Sequence, residues 1–110
     1  MSYHHPPLEV SQVVQVHRYR RAEIQANPHR LFVFGDNMAR AGFGGQAKEA
    51  RGEPNAVGIP TKWSPAMTLG SFFTDEDFDE VQPAIDAAFD WISLHMDGGG
   101  TVVSLSLPAA

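Results

Sequence analysis

LFVFGDNMARAGFGGQAKEAR, residues 31–51, passes from an apolar run through a glycine-rich turn into a helix-forming run. Leu31-Phe32-Val33-Phe34 is continuous, of strand length and without alternation, as in a strand buried on both faces. Gly45 to Arg51 suits a short helix, ended by Gly52 with Pro54 close behind. Strand, turn and helix in that order predict one unit of a parallel sheet, and the flanking sequence repeats the pattern.

Upstream, β-branched residues dominate 12–18 and predict a first strand there. Arg20 to Ala26 suits a short helix, stopped at Asn27-Pro28 because the residue before proline disfavours helical angles. Downstream, Ala56-Val57-Gly58-Ile59 is a third buried strand, closed by Pro60. Thr74-Asp75-Glu76-Asp77 places a cap hydroxyl and three acids at the positive end of a helix dipole. Phe78, Val81, Ile85, Phe89, Ile92 and Met96 then recur at spacings of three and four, one apolar stripe of an amphipathic helix. Pro83 either kinks that helix or sits in its first turn behind a separate short turn. Asp97-Gly98-Gly99-Gly100 ends it, and Thr101 to Leu107 is the last strand.

This alternation predicts an α/β fold, a three-layer or incomplete sandwich with a mostly parallel, mixed sheet. A length of 110 residues makes it a single domain, with 1–9 as a loose tail. The chain stops at Pro108-Ala109-Ala110, directly after an apolar strand. Either it is truncated at the C-terminus, or another chain covers that strand.

Apolar residues make up 43% and charged residues 19%, the balance of a folded domain. No run is long enough to span a bilayer and no signal-peptide core opens the chain, so a cytoplasmic location is expected. The absence of cysteine excludes disulfides and thiolate metal sites. His4 and His5 lie in the tail without further ligands, so no metal site is expected. Charge divides sharply along the chain. All eight Lys and Arg residues lie at or before Lys62, with five acids among them, a formal +3; eight acids and no base follow, a formal −8. Every cation that could meet an anionic ligand is therefore in the first part. Arg18, Arg20 and Arg21 are too thin a stripe for a nucleic-acid footprint.

The turn after residues 31–34 is the first site candidate. Gly42, Gly44 and Gly45 would let the backbone approach a ligand, and amides before a helix favour anions. It matches neither the dinucleotide fingerprint nor a P-loop, and such a turn can equally be structural. Asp36 and Asn37 can be turn formers, or Asp36 can accept hydrogen bonds from a ligand while Asn37 offers a donor and an acceptor. Thr61 and Lys62, at the end of the next strand, are placed to meet a phosphate or carboxylate; an ordinary exposed lysine is the alternative. Trp63 and Phe43 either stack on a base or plug the core edge.

Phe32-Val33-Phe34-Gly35-Asp36-Asn37, the turn Gly42-x-Gly44-Gly45-Gln46-Ala47 and Asn55-Ala56-Val57-Gly58-Ile59-Pro60-Thr61-Lys62 resemble an uncharacterised family of bacterial and phage proteins. That family is similar in turn to macro domains, the ADP-ribose-binding α/β modules, and the resemblance covers roughly residues 12–107. It implies that Asp36 matches an aspartate contacting adenine, and that the glycine turn at 42–45 corresponds to a diphosphate-binding loop. The resemblance implies no established reaction; if one occurs, hydrolysis of an ADP-ribosyl bond is expected, with Asn37 as the catalytic residue positioning substrate or water. Two departures stand out: a single Asn37 follows Asp36 directly, and the chain ends where a second glycine loop would begin.

Serine-triad chemistry has no support, since Ser64, Ser71, Ser104 and Ser106 lack a nucleophile turn and a histidine partner. The expectation is a small-molecule nucleotide ligand held by Asp36, Gly42, Gly44, Gly45, Gln46, Thr61 and Lys62, without cofactor. The alternative is a non-catalytic accessory or protein-interaction domain, whose exposed sheet edge and apolar C-terminal strand dock a protein partner or a second copy. Neither reading involves a membrane, and nucleic acid comes third.

Overall fold

The computed structural model describes residues 12–64 and 73–105. The elements are β1 (Val13–Val16), α1 (Arg21–Ala26), β2 (Arg30–Asn37), α2 (Ala47–Ala50) and β3 (Ala56–Lys62). A 3-10 turn (Asp75–Asp77) then leads into α3 (Phe78–Asp97), followed by β4 (Thr101–Leu105). The strands form one sheet of order β1-β4-β2-β3. Every pair is parallel, so the α/β sandwich forms as expected and the sheet is not mixed. The tail 1–9, His4 and His5, and the chain beyond Leu105 lie outside the described residues.

The unalternating apolar run in β2 is explained by two buried faces. Phe32 and Phe34 pack with Tyr19, Ile24, Ala47 and Ala50 beneath α1 and α2. Leu31 and Val33 point the other way, to Val57, Val102, Ala88 and Met96 beneath α3. The crossovers through α1 and α2 run one way across the sheet, and the crossover through α3 runs back. A single crossover hand therefore places α3 on the opposite face. Consequently β2 and β3 are neighbours whose outgoing connections leave to opposite sides, which opens a crevice at their carboxyl ends.

Three expectations are corrected. β2 continues through Gly35, Asp36 and Asn37 instead of ending at Phe34, because β3 pairs with it as far as Lys62. Pro60 does not close β3: it lies within an edge strand, where a missing N–H costs no ladder bond. The apolar stripe of α3 is rotated. Val81, Ala88 and Met96 are its buried residues, whereas Phe78 and Phe89 are more than half exposed. The helix runs through Pro83.

The C-terminal strand β4 is not an edge; it lies between β1 and β2. The edge at β3 is blunted. Pro60 has no N–H, the Gly58 carbonyl accepts from Arg40 at 2.8 Å, and the Ala56 amide donates to the Glu53 carbonyl. An edge treated this way resists strand addition. Among the described residues no helix is long and apolar enough to cross a membrane.

Candidate functional site

The crevice has a volume of about 320 Å³ and is bounded by the ends of β2 and β3 and by the loop between β2 and α2. Asp36, Asn37, Gly42, Gly44, Gly45, Thr61 and Lys62 line it, together with Gly35, Ala41, Ala47 and Arg51. Gln46 is not in the lining; its Oε1 accepts from the Tyr19 backbone N–H at 2.8 Å and ties α2 to the chain entering α1.

Asp36 is the central charge. Its side chain is 3% exposed and its carboxylate is fully engaged. Arg51 Nη2 donates to Oδ1 at 2.6 Å and Nη1 to Oδ2 at 3.3 Å, a two-pronged clamp. Arg40 Nη1 adds a bond to Oδ2 at 3.1 Å, and the Asn37 amide one to Oδ1 at 2.8 Å. Burial opposes ionisation of Asp36, but the hydrogen bonds from Arg51, Asn37 and Arg40 prevail and hold its carboxyl below the ordinary carboxylate range. A carboxylate held ionised by four donors is a poor proton acceptor and a poor partner for an adenine edge.

Arg51 does more than pair with Asp36. Its Nε donates to the Gly42 carbonyl at 2.8 Å and Nη2 to the Ala41 carbonyl at 3.1 Å. The guanidinium also lies 5.8 Å from the Phe34 ring centroid. Asn37, 4% exposed, closes the same loop from the other end. Its Nδ2 donates to the Ala41 carbonyl at 2.8 Å and its Oδ1 accepts from the Ala41 amide at 3.4 Å. Asp36, Asn37 and Arg51 together hold the loop in shape, with Arg40 at φ 52° and Gly42 and Gly45 also at positive φ.

The shaped loop leaves several of its amides unpaired, and Gly42, Gly44 and Gly45 among them line the crevice. Among the described residues, the N–H groups of Gly42, Phe43, Gly44, Gly45 and Gln46 meet no protein acceptor. Gly45 at positive φ followed by Gln46 in the right-handed region is the alternation that forms an anion-binding concavity. Thr61 Oγ1 donates to the Asp36 carbonyl at 3.2 Å, which fixes the opposite wall beside Lys62. Trp63 is elsewhere: it packs edge-on against Phe73 and donates Nε1–H to Asp77 at 3.1 Å. It therefore fastens the start of α3. Phe43 is 64% exposed on the loop.

Arg51 and Arg40 are the participants that sequence reasoning missed. A signal existed, because a buried carboxylate requires a cation and only Arg40, Lys48 and Arg51 lie on the connection out of β2. Asn55, part of the third sequence block, is also structural. Its Nδ2 reaches the carbonyls of Ile24, Asn27 and Arg30 and stitches the end of α1 to the start of β3.

Residues 14–108 match a family of unknown function. The chain belongs to that family, DUF7831. The match spans every element of the sheet beyond Val13 and includes the whole crevice. Comparisons with curated proteins and with solved structures return no match. Among the described residues no group of three or more His, Asp or Glu side chains could hold a metal ion.

Proposed function

We propose that this DUF7831 domain binds a phosphate-bearing small molecule of the nucleotide class in the crevice between β2 and β3. The observation that carries this reading is position: the crevice lies at the carboxyl ends of two neighbouring strands whose connections part to opposite faces, where α/β sheets bind ligands. Its chemistry agrees with an anion. Unpartnered loop amides and the Lys62 side chain border it, and the charge of Asp36 is more than balanced by Arg51 and Arg40. A volume of about 320 Å³ is at the small end of ligand sites and suits a phosphate with an attached ribose or base better than an entire dinucleotide.

In this reading Gly42, Gly44 and Gly45 hold the phosphate and Lys62 with Thr61 forms the opposite wall. Asp36 and Asn37 shape the loop and do not touch the base. Binding is better supported than hydrolysis, because Asp36, the one buried carboxylate among the described residues, is locked by arginines. ADP-ribose is the member of the class that the resemblance to macro domains singles out.

Calorimetric titration with ADP-ribose, NAD, ADP and AMP tests the proposal, with Lys62→Glu alongside. The expected result is heat from at least one phosphate-bearing ligand, lost in Lys62→Glu while the thermal melt is unchanged. Silence from all four, or heat that survives the charge reversal, would remove the crevice as the site.

A further inference from the structure

Helix α3 carries two apolar stripes, and the sheet uses only one. Val81, Ala88 and Met96 bury the first. Ala84, Ala87, Trp91 and Leu94 form a second, at spacings of three, four and three, which places them along one line of the helix. Trp91 is 44% exposed and Leu94 72%. Beside this line lies a groove of about 240 Å³ between α3 and the edge strand β3, lined by Trp91, Ala84, Ala87, Ala88 and Val57 together with Arg40. The small alanines leave room there, and Trp91 offers a large flat wall.

Charge says what fits. Asp79, Asp86 and Asp90 are exposed and, at spacings of seven and four, form an acidic line next to the apolar one. None of the three forms an ion pair among the described residues, and no Lys or Arg follows Lys62 in the chain. Asp86 and Asp90 sit four apart, where like charges destabilise a helix. An acidic face of this kind repels nucleic acid and anionic membranes. The blunted β3 edge beside it does not invite a strand. What remains complementary is a helix with Lys or Arg on one side and apolar anchors on the other.

We infer that the outer face of α3 is a docking surface for a basic amphipathic helix of a partner protein, with an apolar anchor in the groove against Trp91. The cations of that helix meet Asp79, Asp86 and Asp90. This surface is separate from the phosphate crevice and its test does not depend on that reading.

The experiment titrates the full chain with a synthetic helical peptide of leucines and lysines in amphipathic spacing, following amide shifts by NMR. Two counterparts, with glutamate for lysine and with serine for leucine, are run in parallel. The Leu-Lys peptide should bind one to one, with shifts confined to α3 and the β3 side of the groove. Trp91→Ala, and separately Asp86→Lys with Asp90→Lys, should each weaken binding by about tenfold or more. Phe89→Ser, on the other shoulder of α3, should leave binding unchanged. Affinity that is indifferent to Trp91→Ala or to loss of the leucines would reduce the effect to general charge attraction and overturn the inference. So would self-association by light scattering that Trp91→Ala abolishes, since the stripe would then belong to a second copy.

Discussion

Asp36 at 5% exposure is costly to bury as an ion, and only the clamp of Arg51 with help from Arg40 makes it tolerable. Removing its charge leaves the less exposed Arg51 facing carbonyls alone. Asp36→Asn should therefore cost about 3 kcal/mol, at the lower end for a broken buried pair, as measured by urea unfolding at neutral pH. The pH dependence has a definite sign. Because the folded state lowers the pKa of Asp36, its contribution is fully present above the unfolded-state value of about 3.9. It is lost as the pH falls through the lower folded value. Over that acid interval the native chain should lose stability faster than Asp36→Asn, and equal slopes would show that Asp36 is not held ionised by folding. Gly58 belongs to the same cluster. A Cβ there would lie 2.6 Å from Asp36 Oδ2 and 2.8 Å from Asp36 Cβ, so turning the carboxylate aside does not clear the clash. Gly58→Ala should cost about 1–3 kcal/mol by thermal melt. Gly44→Ala, whose Cβ meets nothing within 4 Å, should stay within about 0.5 kcal/mol.

At the scale of elements, α3 separates what composition announces from what packing decides. Its amphipathic period is plain in the sequence, yet period alone does not say which flank of a broad apolar arc meets the sheet. Phe78 and Phe89 fit the arc as well as Val81 and Met96 do, and the sheet selected the flank centred near Ala88. Met96→Ala should cost about 2–5 kcal/mol. Phe89→Ala, a far larger truncation, should stay within about 1 kcal/mol because its ring is half in water. A large loss at Phe89 in the same urea series would place it back in the core. The strands were legible for the opposite reason: an unalternating run such as 31–34 has few uses other than a two-sided parallel strand. Their ends were not. Gly35, Asp36 and Asn37 read as a loop by propensity, and only pairing with β3 makes them strand. In the candidate site the glycines, Asp36 and Lys62 stood out in the sequence. Arg51 did not, because its role depends on α2 turning the chain back over β2.

Across the whole molecule the order β1-β4-β2-β3 makes the two ends of the described chain depend on each other. Consecutive strands are usually neighbours, so nothing local in Thr101 to Leu105 announces that it belongs between β1 and β2. Once there, it carries much of the fold. Among the described residues β1 pairs only with β4, Val13 to Val16 against Val102 to Leu105. Val102 is buried in the α3-side core, and Val103 in the core beneath α1 and α2. A chain ending at Gly100 would strand β1 without a ladder, expose one side of β2 and remove a residue from each core. That variant should show no cooperative urea transition and weak near-ultraviolet dichroism, while α3 retains part of its helical signal. Adding a synthetic peptide of residues 101–110 should restore the transition, because the added strand supplies the ladder through which β1 joins β2. A cooperative transition in the shortened chain without the peptide would mean that β1 and β2 hold together without β4, and that the core is closed by α3 alone.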